Sequence, residues 1–300
     1  NFKKIIDEYL ADIENNYIPK NDFCYKDYTI MKYNDIDYLF KHTYKMYNFD
    51  NRIHEIEKNL ISEFKRKSTE IAENLRKERT KAIENLVQEE RIKVYDEYDK
   101  EIKNVEKGYK KIVKNYLNQI PKKDCVQYYK EFIDSYLQNS NEVMQYLKEN
   151  TLSNLKKNEV SFEDLAPIMY IQFKVFGIKD KCKIKHVVID EAQDYNKLQY
   201  LIISKIFRKA QFTILGDVNQ NINPFYKYEK LSDLEKYFNG EDRYLELNKT
   251  YRSSPEIIDY TNKILGLNHV NAIRDKSNIP VTSRRNVDNL EELLIEDISE

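Results

Sequence analysis

Apolar residues recur every three to four positions through the first 160 residues, a helical rhythm. FKKIIDEYLADIENNYI places Phe2, Ile5, Ile6, Tyr9, Leu10 and Ile13 on one face, and Pro19 ends the run. NDIDYLFKHTYKMY follows, with Asn34 as its expected N-cap. From 51 to 120 there is no proline and one glycine, Gly108. One register there runs Ile53, Ile56, Leu60, Phe64, Ile71, Leu75; a second runs Tyr98, Ile102, Val105, Tyr109, Ile112, Tyr116. This is coiled-coil spacing. A single straight helix of that length would reach on the order of 100 Å, so a long antiparallel hairpin or projecting arm is expected rather than a compact bundle. Pro121 closes the segment, and amphipathic helices are expected over 124–157.

Near residue 160 the pattern changes. SFEDLAPIMYIQFKVFG predicts a helix with Ser161 as N-cap, Asp164 in the capping-box position and Gly177 as the stop. Short solid apolar runs follow, HVVID at 186–190 and FTILGD at 212–217, separated by the helical stretch NKLQYLIISKIFRKA. Strand, helix, strand predicts a βαβ unit in a parallel sheet buried on both faces. A third strand is expected at RYLEL, 243–247, before a helix with Pro255 in its first turn and Gly266 at its end. The second half therefore reads as α/β, with all three strands delivering polar groups to one edge of one sheet.

Charge narrows the function classes only a little. Lys and Arg total 50 and Asp and Glu 51, a net charge of −1, which argues against a chain-wide basic surface. The alternating charges of KERTKAIENLVQEER read as a solvated helix face or as an arm that meets a partner. Cys24, Cys125 and Cys182 are odd in number and scattered, with no disulfide framework, as suits a reducing cytosol. His42, His54, His186 and His269 show no zinc-ligand spacing. No apolar run approaches the roughly 18 residues that a membrane span needs. The start NFKKIIDEYL, without Met, suggests a cut from a longer protein.

The candidate chemistry sits after the strands. Ligands of open α/β sheets lie beyond the strands' carboxyl ends, where Asp190 and Glu191 fall. Two adjacent acids there suit nucleotide hydrolysis: one holds Mg²⁺, the other takes a proton from the attacking water. The next strand leads into Gly216, Asp217 and Gln220, and the third into Tyr251 and Arg252. Acids that merely punctuate a strand end are the plain alternative for any one of these, but not readily for the set.

DEAQD, ILGDVNQNI and LNKTYRSSPEI resemble motifs II, III and IV of the UvrD/Rep-like superfamily 1 helicases. The resemblance implies a partial RecA-like P-loop NTPase motor with a large α-helical, coiled-coil-containing insertion. The insertion would cover 1–160, part of the first motor domain 161–242, and the start of the second 243–300. It implies Asp190 as the Mg²⁺ ligand, Glu191 as general base, and Gln220 as the link between the γ-phosphate and nucleic-acid sites. Tyr251 would stack on the base and Arg252 act as arginine finger, while Gln193, Asp194 and Asp217 join the nucleotide-binding set. Phe225, followed by Tyr226, stands where the family stacks a single-stranded base, although the usual pair there is Trp–Arg; a packing aromatic is the alternative.

The phrasing FEDLAPIMY…IKHVVIDEAQDYNKLQY, after a long charged helical stretch, is similar to the HelD, or helicase IV-like, branch. That branch implies RNA polymerase as partner, ATP and Mg²⁺ as cofactors, and a cytoplasmic protein that recycles the polymerase. A DNA-unwinding 3′–5′ repair helicase, with single-stranded DNA as partner, and a non-enzymatic docking module are the alternatives. No GxxxxGK[ST] occurs, because the glycines at 108, 177, 216, 240 and 266 cannot form one, and motifs V and VI are missing. Without a P-loop to cradle phosphates, the chain alone is expected to hydrolyse no ATP.

Overall fold

A computed structural model describes residues 2–84, 86–136, 142–178, 183–221, 223, 227–238, 240–277, 279, 281 and 295. The chain forms two compact units, Asn1–Val187 with Tyr195–Thr213, and Val188–Asp194 with Ile214–Glu300.

The first unit begins with helix α1 (Phe2–Asn16), which ends before Pro19. Strands β1 (Phe23–Tyr25) and β2 (Tyr28–Met31) then form an antiparallel hairpin, an interruption of the expected all-helical stretch. Within the strands Phe23, Tyr25, Tyr28 and Ile30 turn inward while Cys24 and Thr29 are exposed, and Lys26 takes a positive φ of 50° in the two-residue connection. Helix α2 (Tyr33–Tyr38) starts one residue before Asn34 and is not capped by it. Asp22 supplies the cap instead, its carboxylate accepting from the Tyr33 amide at 2.7 Å. A π-helical turn, Leu39–Thr43, follows.

Helix α3 (Phe49–Ile83) is about 50 Å long at 1.5 Å per residue. Helix α4 (Gln88–Lys107) returns along it. Arg76 pairs with Glu106 at 2.6 Å and Arg79 with Asp99, so partner numbers fall on α4 as they rise on α3. The expected antiparallel hairpin is thus present. It does not project bare: Phe23 of β1 packs on Phe64 of α3, and Lys67 donates to the Thr29 carbonyl at 2.7 Å. Helix α5 (Tyr109–Leu117) continues α4 past Gly108. Both apolar registers face inward: Ile56, Leu60, Phe64, Ile71 and Leu75 are buried, as are Ile102, Val105 and Tyr116.

Arg52, in the first turns of α3, ties the start of the arm to the rest. Its guanidinium donates to the carbonyls of Phe40, Lys45 and Tyr47, pairs with Glu14 of α1, and lies 5.1 Å from the ring centres of both Phe40 and Phe49. A buried arginine is tolerated because every face of it meets an acceptor or a π-cloud.

Helices α6 (Cys125–Tyr136), α7 (Glu142–Lys156) and α8 (Phe162–Val175) complete the helical layer. Ser161 sits at the N-cap of α8 but makes no cap hydrogen bond; it accepts from Asn154 instead. Asp164 turns inward to take the Tyr129 hydroxyl at 2.6 Å. A tertiary partner has displaced the expected capping box, and burial raises the Asp164 carboxyl above its ordinary range. Gly177, at φ 77°, stops α8 as expected; a Cβ there would come within 2.3 Å of Asn48, the N-cap of α3. Cys24 and Cys125 are free thiols, and Cys182 lies outside the described residues.

Strand β3 (His186–Ile189), helix α9 (Lys197–Ile206) and strand β4 (Gln211–Ile214) make the expected βαβ unit. Gln211 donates to Lys185 and Leu215 to Ile189, at 2.9 and 2.8 Å; both bonds span the same sequence offset, a parallel register. A full capping box does form here, at Asn196 and Gln199 of α9, which packs against α8. The sheet is not buried on both faces, since Val188 is 63% exposed. RYLEL forms no strand. Strand β5 is Lys249–Thr250 and pairs in parallel with β6 (Asn271–Ala272) around helix α10 (Pro255–Leu265). A strand needs a neighbour to complete its hydrogen bonds, and Leu245 and Leu247 stay exposed without one among the described residues. The expectation of three strands on one sheet therefore fails: β3–β4 and β5–β6 are separate sheets. No helix among the described residues is long and apolar enough to cross a membrane.

Candidate active site

Asp190 and Glu191 follow β3 directly, at its carboxyl end, and both are exposed. Asp190 Oδ1 accepts from the Glu191 amide at 2.9 Å. Glu191 has φ 48°, a left-handed conformation that costs a non-glycine residue roughly 1 kcal/mol or more. The chain turns sharply there, and the surroundings hold the turn.

Gln193 does the holding. It is 2% exposed. Its amide nitrogen donates to Glu191 Oε2 at 2.7 Å, and its amide oxygen accepts from the Asp217 backbone at 3.1 Å. One buried carboxamide thus joins the loop after β3 to the loop after β4. Two further bonds close the joint: Ala192 N–H donates to Leu215 O at 2.9 Å, and Asn221 Nδ2 donates to Gln193 O at 2.8 Å. Asp194 closes the turn through its own amide, which donates to Glu191 O at 2.9 Å.

Gly216 permits this approach. A Cβ added there would stand 2.7 Å from Gln193 Oε1, 2.9 Å from the Ala192 nitrogen and 3.0 Å from the Ala192 Cβ. Beyond it, Asp217 accepts from the Asn219 amide at 2.9 Å and from the Gln220 side chain at 3.0 Å. Asp190, Glu191, Gln193, Asp194, Asp217 and Gln220 are therefore parts of one bonded arrangement. Asn221, which sequence reasoning did not single out, belongs to it; its place directly after Gln220 in a polar loop was the available signal.

Tyr251 and Arg252 come just after β5, which belongs to the β5–β6 sheet and not to β3–β4, and Tyr251 is 80% exposed. The Arg252 backbone is fixed by Thr250 and Arg274 at 3.2 and 3.0 Å. Its guanidinium makes no hydrogen bond or ion pair among the described residues. Phe225 and Tyr226 lie outside the described residues.

Among the described residues no three His, Cys, Asp or Glu side chains converge as a metal cage. Magnesium needs none: it takes one or two carboxylates and fills its other positions with phosphate oxygens and water. The exposed Asp190 carboxylate fits that modest demand.

Replacing Gly216→Ala should force apart the Gln193 and Ala192 contacts. A cost of about 1–3 kcal/mol is expected for such overpacking, together with faster amide hydrogen exchange at Ala192 and Asp217. Unchanged exchange at both amides would mean that the close approach carries no stability.

The UvrD/REP helicase N-terminal domain model matches residues 3–244. The RecBCD enzyme subunit RecB of Chlamydia pneumoniae is 32% identical over 136 residues, 42% of this chain and 12% of that protein. The ATP-dependent DNA helicase srs2 of Schizosaccharomyces pombe is 31% identical over 115 residues, 37% of this chain and 12% of its own length. A probable DNA helicase II homolog of Mycoplasma capricolum is 31% identical over 137 residues, 44% of this chain and 19% of its own length. The chain thus spans under a fifth of the length of these relatives. Since the family model covers most of the chain, including both loops joined by Gln193, the chain belongs to the UvrD/Rep helicase family.

Proposed function

We propose that this chain supplies the water-activating part of an ATP-driven superfamily 1 helicase-type motor acting on DNA. The observation that carries the reading is the Gln193 carboxamide, which fixes Glu191 while bonding the loop that bears Asp217 and Gln220. A general base must be held where its proton arrives, and a signal from nucleotide to polymer needs a physical joint between the two loops. In this reading Glu191 takes the proton of the attacking water. Asp190 would hold Mg²⁺, which neutralises phosphate charge when bound. Gln220, held by Asp217, reports the γ-phosphate to the nucleic-acid side. Tyr251 stacks on the base, and Arg252, whose guanidinium makes no ion pair among the described residues, reaches the phosphate as arginine finger.

Residues 161–242 would then belong to a first RecA-like motor domain, 243–300 to the start of a second, and 1–160 to a helical insertion bearing the arm. The DNA-directed form is favoured by the relatives, whose printed names include two DNA helicases. Phe225 and Tyr226 are the residues we assign to a single strand. Since no GxxxxGK[ST] is present, turnover requires a phosphate-binding loop supplied by the whole protein.

A second reading, the HelD-like remodelling of RNA polymerase, is favoured by the α3–α4 arm, near whose turn Val87 and Ile92 are exposed. Co-elution of this chain with core RNA polymerase, without DNA or nucleotide, would support it. Failure to co-elute while single-stranded DNA still binds would leave the DNA-directed reading alone.

The test of the site is Glu191→Gln in the whole protein. ATP turnover should fall by about a hundredfold or more, with nucleotide binding retained. Turnover close to the parent's would remove Glu191 from the role of base.

A further inference from the structure

A side chain holds another group only as firmly as its own backbone is held. Gln193 lies in the three-residue turn Ala192–Asp194 after β3, and a 3-10 turn that short has weak internal hydrogen bonding. Its fixed points come from the loop after β4. On the N-terminal side, Ala192 N–H donates to Leu215 O at 2.9 Å. On the C-terminal side, Gln193 O accepts from Asn221 Nδ2 at 2.8 Å. The Gln193 carbonyl and the Asp194 amide belong to one planar peptide unit, and that amide donates to Glu191 O at 2.9 Å. Asn221 therefore grips the far edge of the peptide that closes the left-handed turn at Glu191, φ 48°.

Asn221 is half-buried, and its carboxamide is committed at both ends. While Nδ2 donates to Gln193 O, Oδ1 accepts from the Asn223 amide at 2.7 Å, an Asx turn that sets how the chain leaves the loop. Asn221 directly follows the short helical turn Val218–Gln220, whose other end is capped by Asp217 through the Asn219 amide at 2.9 Å. The Asp217 amide in turn donates to Gln193 Oε1 at 3.1 Å. The two ends of that turn thus bond the side-chain and the main-chain oxygens of the same glutamine. An asparagine at 221 serves both of its bonds, whereas an aspartate there would keep the acceptor and lose the donor.

We propose that Asn221 is a positioning residue for the hydrolytic step, acting through Gln193 by fixing the 193–194 peptide on which the Glu191 turn is built. The role rests on the reading of Glu191 as general base. Asn221 does not act on the reacting atoms; it restrains the backbone of the residue that holds the base. Misplacing a reacting group by about 1 Å can cost roughly a hundredfold in rate, so a partial loss of this restraint is enough to slow turnover. Nucleotide affinity does not depend on it, because neither bond of Asn221 involves a residue assigned to the nucleotide other than through Gln193.

The test compares Asn221→Asp with Asn221→Ala and Gln193→Leu. Aspartate has the shape of asparagine, keeps the acceptor for the Asn223 amide and removes only the donor to Gln193 O. In the 300-residue chain, amide hydrogen exchange at Asp194 should quicken about threefold or more in Asn221→Asp. Asn223 should keep the parental rate there, which also verifies that the loop is folded, and should quicken only in Asn221→Ala. In the whole protein, Asn221→Asp should lower kcat for ATP about tenfold with KM close to the parent's. Added to Gln193→Leu, it should cost less than about twofold more, because both substitutions break one path. Parental exchange at Asp194, a parental kcat, or losses that multiply in the double variant would each overturn the proposal. The two readings fail separately. Parental turnover by Glu191→Gln sinks the general-base assignment and this role with it, whereas lost turnover in Glu191→Gln beside a parental kcat in Asn221→Asp sinks this proposal alone.

Discussion

Both ends of one buried side-chain amide are committed, and the active-site account depends on that. A carboxamide is at once donor and acceptor. Gln193 spends the donor on Glu191 and the acceptor on the Asp217 backbone, so the loop after β3 and the loop after β4 share one rigid element. Burial makes the arrangement obligatory, because an unpaired amide in that position would carry the full desolvation cost. Gly216 gives the two loops room to meet, and the left-handed turn at Glu191 is held by the same contacts.

The helical unit is organised by a comparable logic on a larger scale. Arg52 gathers three carbonyls, a carboxylate and two aromatic faces around the start of α3. From that anchor the arm runs outward and returns, with its apolar registers closed against each other. Glu101 and Glu106 of α4 are drawn into pairs with Lys26 and Arg76, while Lys100, Lys103 and Lys107 stay exposed.

Much of this was legible in the sequence. The helical periodicities, the turn-back of the arm, the βαβ unit, Pro255 and Gly266 all follow from local rules of spacing and backbone freedom. What was not legible depended on partners distant in the chain. Asp22 caps α2 in place of Asn34, and Tyr129 draws Asp164 out of a capping box. RYLEL has the composition of a strand, but β5 forms two residues later against β6, so the polar ends expected on one sheet are divided between two. DEAQD and GDVNQ stood out as candidates because they concentrate polar chemistry in few positions. Asn221 was missed because its role, a hydrogen bond to the Gln193 carbonyl, has no signature beyond being polar.

The most direct test of the central claim is ATP turnover by the whole protein with Gln193→Leu, a substitution that keeps bulk and removes both hydrogen-bonding ends. If the carboxamide positions Glu191, kcat should fall by on the order of tenfold or more while the KM for ATP stays close to the parent's. A kcat equal to the parent's would contradict the account, since Glu191 would then be placed for catalysis without the bond that joins the two loops.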